Sequence, residues 1–213
     1  MVSFQTLEVA GFAPALAGMR HPLKSYQKAD TYTDEDGNLI IGKNDYDLAK
    51  RLCSAGSPEH AKFLRQICVV NIFAPRFWSE FDTYKIGPTA NSQSTMHTLM
   101  KDGVKEEDLF FTFGEDEIAN KAIRDYLTAI NDLIALYKTL EAGPIKEQYF
   151  EKVKAMLPEG FIQGRMVSLN YQTLKTMYNQ RKNHRLSGWN TDFVNIHTLP
   201  MHEFIDDEWQ EIE

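Results

Sequence analysis

Residues 154–185 read Lys154-Ala-Met-Leu-Pro158-Glu-Gly-Phe161-Ile-Gln-Gly-Arg-Met-Val-Ser-Leu169-Asn170-Tyr-Gln-Thr-Leu174-Lys-Thr-Met-Tyr-Asn-Gln-Arg181-Lys-Asn-His-Arg185. Pro158 stops the helix before it, because proline has no N–H to donate and its ring collides with the preceding turn. Phe161 to Leu169 then reads as a strand, and a further helix follows from about Asn170 to Arg185. A helix, a strand and a helix in immediate succession place the chain in the α+β class, helix-rich with a modest central sheet.

Working outward, Ile145 to Met156 is a helix that buries Tyr149, Phe150 and Val153. Before it, Ile118, Ala122, Ile123, Tyr126, Leu127, Ile130, Leu133, Ile134 and Tyr137 recur at three- and four-residue steps, the mark of a helix from Glu115 to Leu140. Glu115, Asp116 and Glu117 suit its positive N-terminal end, and Gly143-Pro144 closes it. The β-branched run Ile67 to Phe73 reads as a buried strand, and Pro75 opens an aromatic helix through Phe77, Trp78 and Phe81. Ser57-Pro58-Glu59 predicts a helix start, and Asn44 an N-cap for a short helix carrying Leu48 and Leu52 that stops at Gly56. Residues 1–45 are the least regular, an N-terminal extension with a hairpin around Asp34-Glu35-Asp36-Gly37-Asn38. The main domain is expected over 46–205. An acidic tail over 206–213 is expected to be exposed, with Trp209 the residue able to dock.

The chain has 213 residues, 43% hydrophobic, enough for one large domain with a real core. Its 23 Lys and Arg stand against 30 Asp and Glu, a net charge of −7. That field opposes non-specific nucleic-acid binding and adhesion to anionic membranes. No stretch is long and apolar enough to span a bilayer. Two cysteines, Cys53 and Cys68, argue against a disulfide framework, and both fall on faces expected to be buried. The expectation is a cytoplasmic protein.

Two local features bear on chemistry. Lys175, Arg181, Lys182 and Arg185 form a basic side of the last helix, read either as a phosphate receiver or as a solvated face. Gly87 to His97 packs hydroxyls and amides that suit either a phosphate and a base edge or a surface turn. None of the six histidines shows zincin spacing, so no metal is expected. Walker, dinucleotide and nucleophile-elbow motifs do not occur.

From Lys154 through Pro158, Asn170 and Leu174 to Arg181, the spacing resembles the C-terminal half of flavin-dependent thymidylate synthases (ThyX). That family carries Ala-Arg-x-x-Leu-Pro, an aromatic strand ending in asparagine, then Asn-x-x-Ser-Leu and a functional arginine. Its signature, Arg-His-Arg-x-x-Ser-x-Asn-x-x-Ser-x-Arg-Tyr, aligns with residues 84–97. Asn91 and Ser94 match, and Thr89 replaces a serine. Tyr84, Lys85 and Ile86 stand where Arg-His-Arg is expected, Met96 where arginine is, and His97 where tyrosine is. The resemblance covers about Cys68 to Arg185, and divergent ThyX-like chains of this kind resemble those of phages and their bacterial hosts.

The resemblance implies a ThyX-like fold, a homotetramer and a nucleotide site. Arg181 would orient and polarise a pyrimidine ring as the catalytic residue. Ser94, Thr89 and Lys154 would join it in binding substrate, and Asn91, Asn170 and Lys85 would hold FAD. The implied reaction is reductive methylation of dUMP to dTMP by methylenetetrahydrofolate, with FAD recharged by NADPH. Lost signature arginines favour an alternative, a non-catalytic protein that binds or sequesters a nucleotide or nucleotide-like signal. A purely structural protein is the third reading.

Overall fold

The computed structural model describes residues 4–73, 83–84, 89–111, 113–186, 189 and 196–210. The helix expected after Pro75 lies outside them, as does Lys85. The chain divides into two compact units, the first around residues 92–165 and the second assembled from the flanking segments. Among the described residues no helix is long and apolar enough to cross a membrane.

The second unit holds the sheet. Strands β1 (Phe4–Ala10), β4 (Cys68–Phe73), β5 (Thr89–Ser92) and β6 (Arg165–Asn170) lie in the order β1-β4-β6-β5. β1 pairs antiparallel with β4, Val9 opposite Val69, with a register irregularity between Thr6 and Glu8. Residues 1–45, which read as the least regular, therefore supply an outer strand of this sheet. They also supply helix α1 (Phe12–Gly18) and the hairpin β2 (Tyr32–Thr33) with β3 (Leu39–Ile40). The hairpin forms where the turn cluster places it, with the Asp34 carboxylate accepting from the Asp36 and Asn38 amides.

Helix α2 (Lys43–Cys53) starts one residue before Asn44, and its cap comes from elsewhere. The Asp30 carboxylate accepts from the Asn44 and Asp45 amides at 2.8 and 3.0 Å. Gly42 is required there, since a Cβ would sit 2.1 Å from the Asp30 carboxyl carbon. Asp45 pairs in turn with Arg20 at 2.6 Å, both buried, and accepts from the Asp30 and Thr31 amides.

The expected helix at Ser57 is not formed. His60 and Leu64 donate to carbonyls three residues back, and the segment becomes turns and a 3-10 turn over Lys62–Arg65. The tighter winding brings Phe63, Leu64 and Ile67 to the core within a few residues. Cys68, expected to be buried, is exposed, because strand alternation turns it outward while Val69 faces in. Cys53 is half-buried.

The single helical turn Glu203–Asp206 contributes Phe204 at the centre of this unit. Its ring lies 5.7 Å from Phe63, 6.1 Å from Tyr46 and 5.7 Å from Trp209. The acidic tail is thus anchored rather than exposed at its start: Asp206 is buried and Trp209 docks, while Asp207 and Glu208 stay outside. Tyr46, buried beside Glu203, donates to that carboxylate, and burial pushes its phenol up to about 12.

The first unit packs helices α3 (Thr95–Asp102), α4 (Glu117–Thr139) and α5 (Pro144–Ala155) around Leu99, Leu109, Ile130, Ile134 and Val153. Asp116 caps α4 by accepting from the Ile118 and Ala119 amides. Ile118 belongs to the predicted apolar stripe but is 86% exposed, in the first turn beyond the core. Inside, Asn131 bridges both polar groups of Val104, accepting from its N–H and donating to its C=O.

Candidate functional site

Helix α6 (Tyr171–Arg181) follows β6 without a loop, because Asn170 ends the strand and caps the helix at once. Its side-chain oxygen accepts from the Thr173 amide at 2.9 Å and from the Thr173 hydroxyl at 3.2 Å. Tyr171, Leu174 and Met177 turn inward and are buried. Gln172, Thr176 and Gln180, spaced by four, line the other side together with Thr173.

That polar side bounds an open cavity of about 420 Å³, lined also by Pro58, Arg65, Thr83 and Tyr84. The volume falls within the roughly 300–1,000 Å³ of small-molecule sites. Its walls offer hydroxyls, carboxamides and one phenol, the groups that recognise heterocycle edges and sugar hydroxyls. The cation among the described lining residues is Arg65, paired with Glu59 at 2.9 Å. Arg65, with Lys62, holds the exposed Glu59 carboxyl below its usual range. Gln172 adds a further feature: its Oε1 is buried and has no hydrogen-bond partner among the described residues. A buried acceptor left in that state awaits a donor.

Arg181 stands behind this cavity rather than in its wall. Its Nε donates to the Tyr84 hydroxyl at 2.8 Å, and its guanidinium lies 4.6 Å from the Trp189 ring. The basic side read from sequence does not form one patch. Lys175 pairs with Asp207 at 2.7 Å, Lys182 lies over the Tyr178 ring, and α6 ends at Arg181, leaving Arg185 exposed beyond it. On the neighbouring face of α6 a second cavity of about 440 Å³ reaches Cys53, Lys175 and Asp207. Burial pushes the Cys53 thiol up to about 12, which removes it as a nucleophile near neutrality.

The remaining sequence candidates separate. Thr89 and Asn91 lie exposed on β5, the outer strand beside β6. In the first unit Ser94 and Lys154 come together at the start of α3. Ser94 is the N-cap residue and its hydroxyl makes no capping bond, while Lys154 Nζ bonds the hydroxyl of Thr95. A helix start with a serine and a lysine favours an anion. Gln172, Thr176 and Gln180 were missed by the sequence reading; their four-residue polar spacing, opposite Leu174 and Met177, was the available signal.

No protein-family model matches the chain, and no curated protein matches it by sequence. Solved structures do. Thymidylate synthase X (ThyX) from Helicobacter pylori, determined with FAD and dUMP, superposes with a TM-score of 0.69 at 16% identity, over 97% of this chain and 98% of the other. A second structure of that flavin-dependent enzyme, also with FAD and dUMP, gives 0.67 at 15% identity, over 98% and 100%. At that identity the likeness speaks of architecture, and the architecture is clear: over nearly its whole length this chain has the ThyX fold.

Proposed function

We propose that the protein binds a pyrimidine nucleotide. The observation that carries this reading is the cavity along α6, walled by Gln172, Thr173, Thr176, Gln180 and Tyr84, in a chain with the fold of enzymes solved with dUMP. Gln172 would accept from an imide N–H on turning its carboxamide, whose oxygen is buried, into the cavity, and the threonine hydroxyls would meet the sugar. Arg181 acts through Tyr84, fixing the phenol's direction, and is a positioning residue in this arrangement. In the first unit, apart from this cavity, Ser94 and Lys154 would offer a separate place for an anionic group at the start of α3.

The reading extends to flavin-dependent thymidylate synthesis from dUMP with methylenetetrahydrofolate, FAD and NADPH, and to a tetramer; both neighbouring structures hold FAD with dUMP. FAD, when bound, supplies the hydride chemistry. Toward that cofactor the described residues fit less well. Of the three flavin candidates, Asn170 spends its carboxamide oxygen on capping α6, Asn91 lies exposed on β5 and Lys85 is outside the described residues; the cavity's arginine is already paired with Glu59. These two engagements favour the second reading, a ThyX-fold protein that holds its nucleotide without turning it over.

The test is the absorption spectrum of the purified protein before and after adding FAD, followed by calorimetric titration with dUMP. dUMP binding with flavin absorbance supports the synthase reading and calls for an assay of dTMP formation. dUMP binding by a protein that stays colourless supports the binding protein. Absence of dUMP binding in both states overturns the proposal.

A further inference from the structure

We infer that His197, His202 and Asp206 form a binding site for a divalent transition-metal ion of the zinc type. His197 belongs to a 3-10 turn over Ile196–Thr198, and His202 immediately precedes the helical turn that carries Asp206 one turn on. His202 Nδ1 lies 2.8 Å from Asp206 Oδ2, and His197 Nδ1 lies 3.7 Å from the same oxygen. One ligand atom from each residue falls within 4.8 Å of the others, and the imidazole rings stand 5.0 Å apart.

Zinc bonds nitrogen and oxygen at about 2.0–2.1 Å, so ligand atoms on a tetrahedral ion are about 3.3 Å apart. The two distances to Asp206, 2.8 and 3.7 Å, bracket that spacing, and the two histidine ligand atoms, within 4.8 Å of each other, would close on the ion. The Asp206 side chain is 0% exposed, whereas that of His197 is 55% exposed. A buried carboxylate thus forms the floor and an open imidazole the mouth, leaving coordination positions to solvent. Asp206 Oδ1 accepts from the Glu208 amide at 2.9 Å, which fixes the orientation of the carboxylate, the support that ligating groups require.

Motif scanning misses this site because no His-x-x-x-His pair exists. The ligands are a histidine, a second five residues on, and an aspartate four further, joined only when the chain folds over Pro200. The Pro200 carbonyl is held by the Tyr171 hydroxyl, which ties the site to α6. An ion here would tie the chain on either side of Pro200 together and fix the 197–206 turn. This site stands apart from the nucleotide cavity, and neither reading depends on the other.

The test uses the full chain stripped with chelator and titrated with Co(II), followed by visible absorption, then competed with Zn(II). One Co(II) per chain, displaced by Zn(II), is expected, together with a rise in melting temperature on adding Zn(II). His197→Ala, at an exposed position, should preserve the fold and lower Co(II) affinity at least tenfold, and the Zn(II)-dependent rise should vanish. No stoichiometric Co(II) binding, or binding that His197→Ala leaves unchanged, overturns the site.

Discussion

Replacing Gln172 with methionine keeps the length of the side chain and removes its buried oxygen. That oxygen has no partner among the described residues, a situation that costs about 1–3 kcal/mol. Gln172→Met is therefore expected to raise stability by about 1 kcal/mol, taking the low end because methionine repacks imperfectly. For a chain of this size that is a rise of about 2–4 °C in melting temperature. The same change deletes the acceptor that Gln172 would turn toward a ligand in the cavity. Losing one net hydrogen bond, about 0.5–1.5 kcal/mol, weakens dUMP binding about 2- to 12-fold. Urea titration reads the first effect and calorimetry the second. A variant less stable than the parent refutes the unsatisfied acceptor, and unaltered dUMP affinity refutes the cavity as the nucleotide site. A gain in stability paired with a loss of binding is the result that a simple packing role does not produce.

Asp45→Ala strands the buried Arg20 and two backbone amides, and should cost about 3–5 kcal/mol, seen as a fall of about 6–20 °C in melting temperature. A loss below about 1 kcal/mol would mean the pair is not buried in solution. Asn131→Leu leaves the Val104 N–H and C=O without their bridge and should lower stability by about 1–3 kcal/mol; an unchanged urea midpoint would contradict it. Iodoacetamide at pH 8 should label exposed Cys68 well before Cys53, whose thiol stays protonated until the pH approaches its raised value of about 12. Mass spectrometry of the peptides checks the order, and equal rates would contradict the burial of Cys53.

What sequence alone determined is what repeats along the chain. The stripe from Ile123 to Tyr137, the stop at Pro158, the turn at Asp34 to Asn38 and the strand–helix junction at Asn170 each depend on neighbours a few residues apart, so residue order carries them directly. The offsets from Lys154 to Arg181 carried the ThyX likeness for the same reason, and the superposition bears out that fold. Tertiary structure decided the rest. Asp30 caps a helix from fourteen residues away, Cys68 turns outward by the pleat of β4, and Trp209 docks on Tyr46 across more than 160 positions. Arg181 donates to the Tyr84 hydroxyl, ninety-seven residues distant. Hydrogen bonds and buried charges of that kind depend on which distant groups the packed core brings within about 3 Å, and no local pattern encodes that distance.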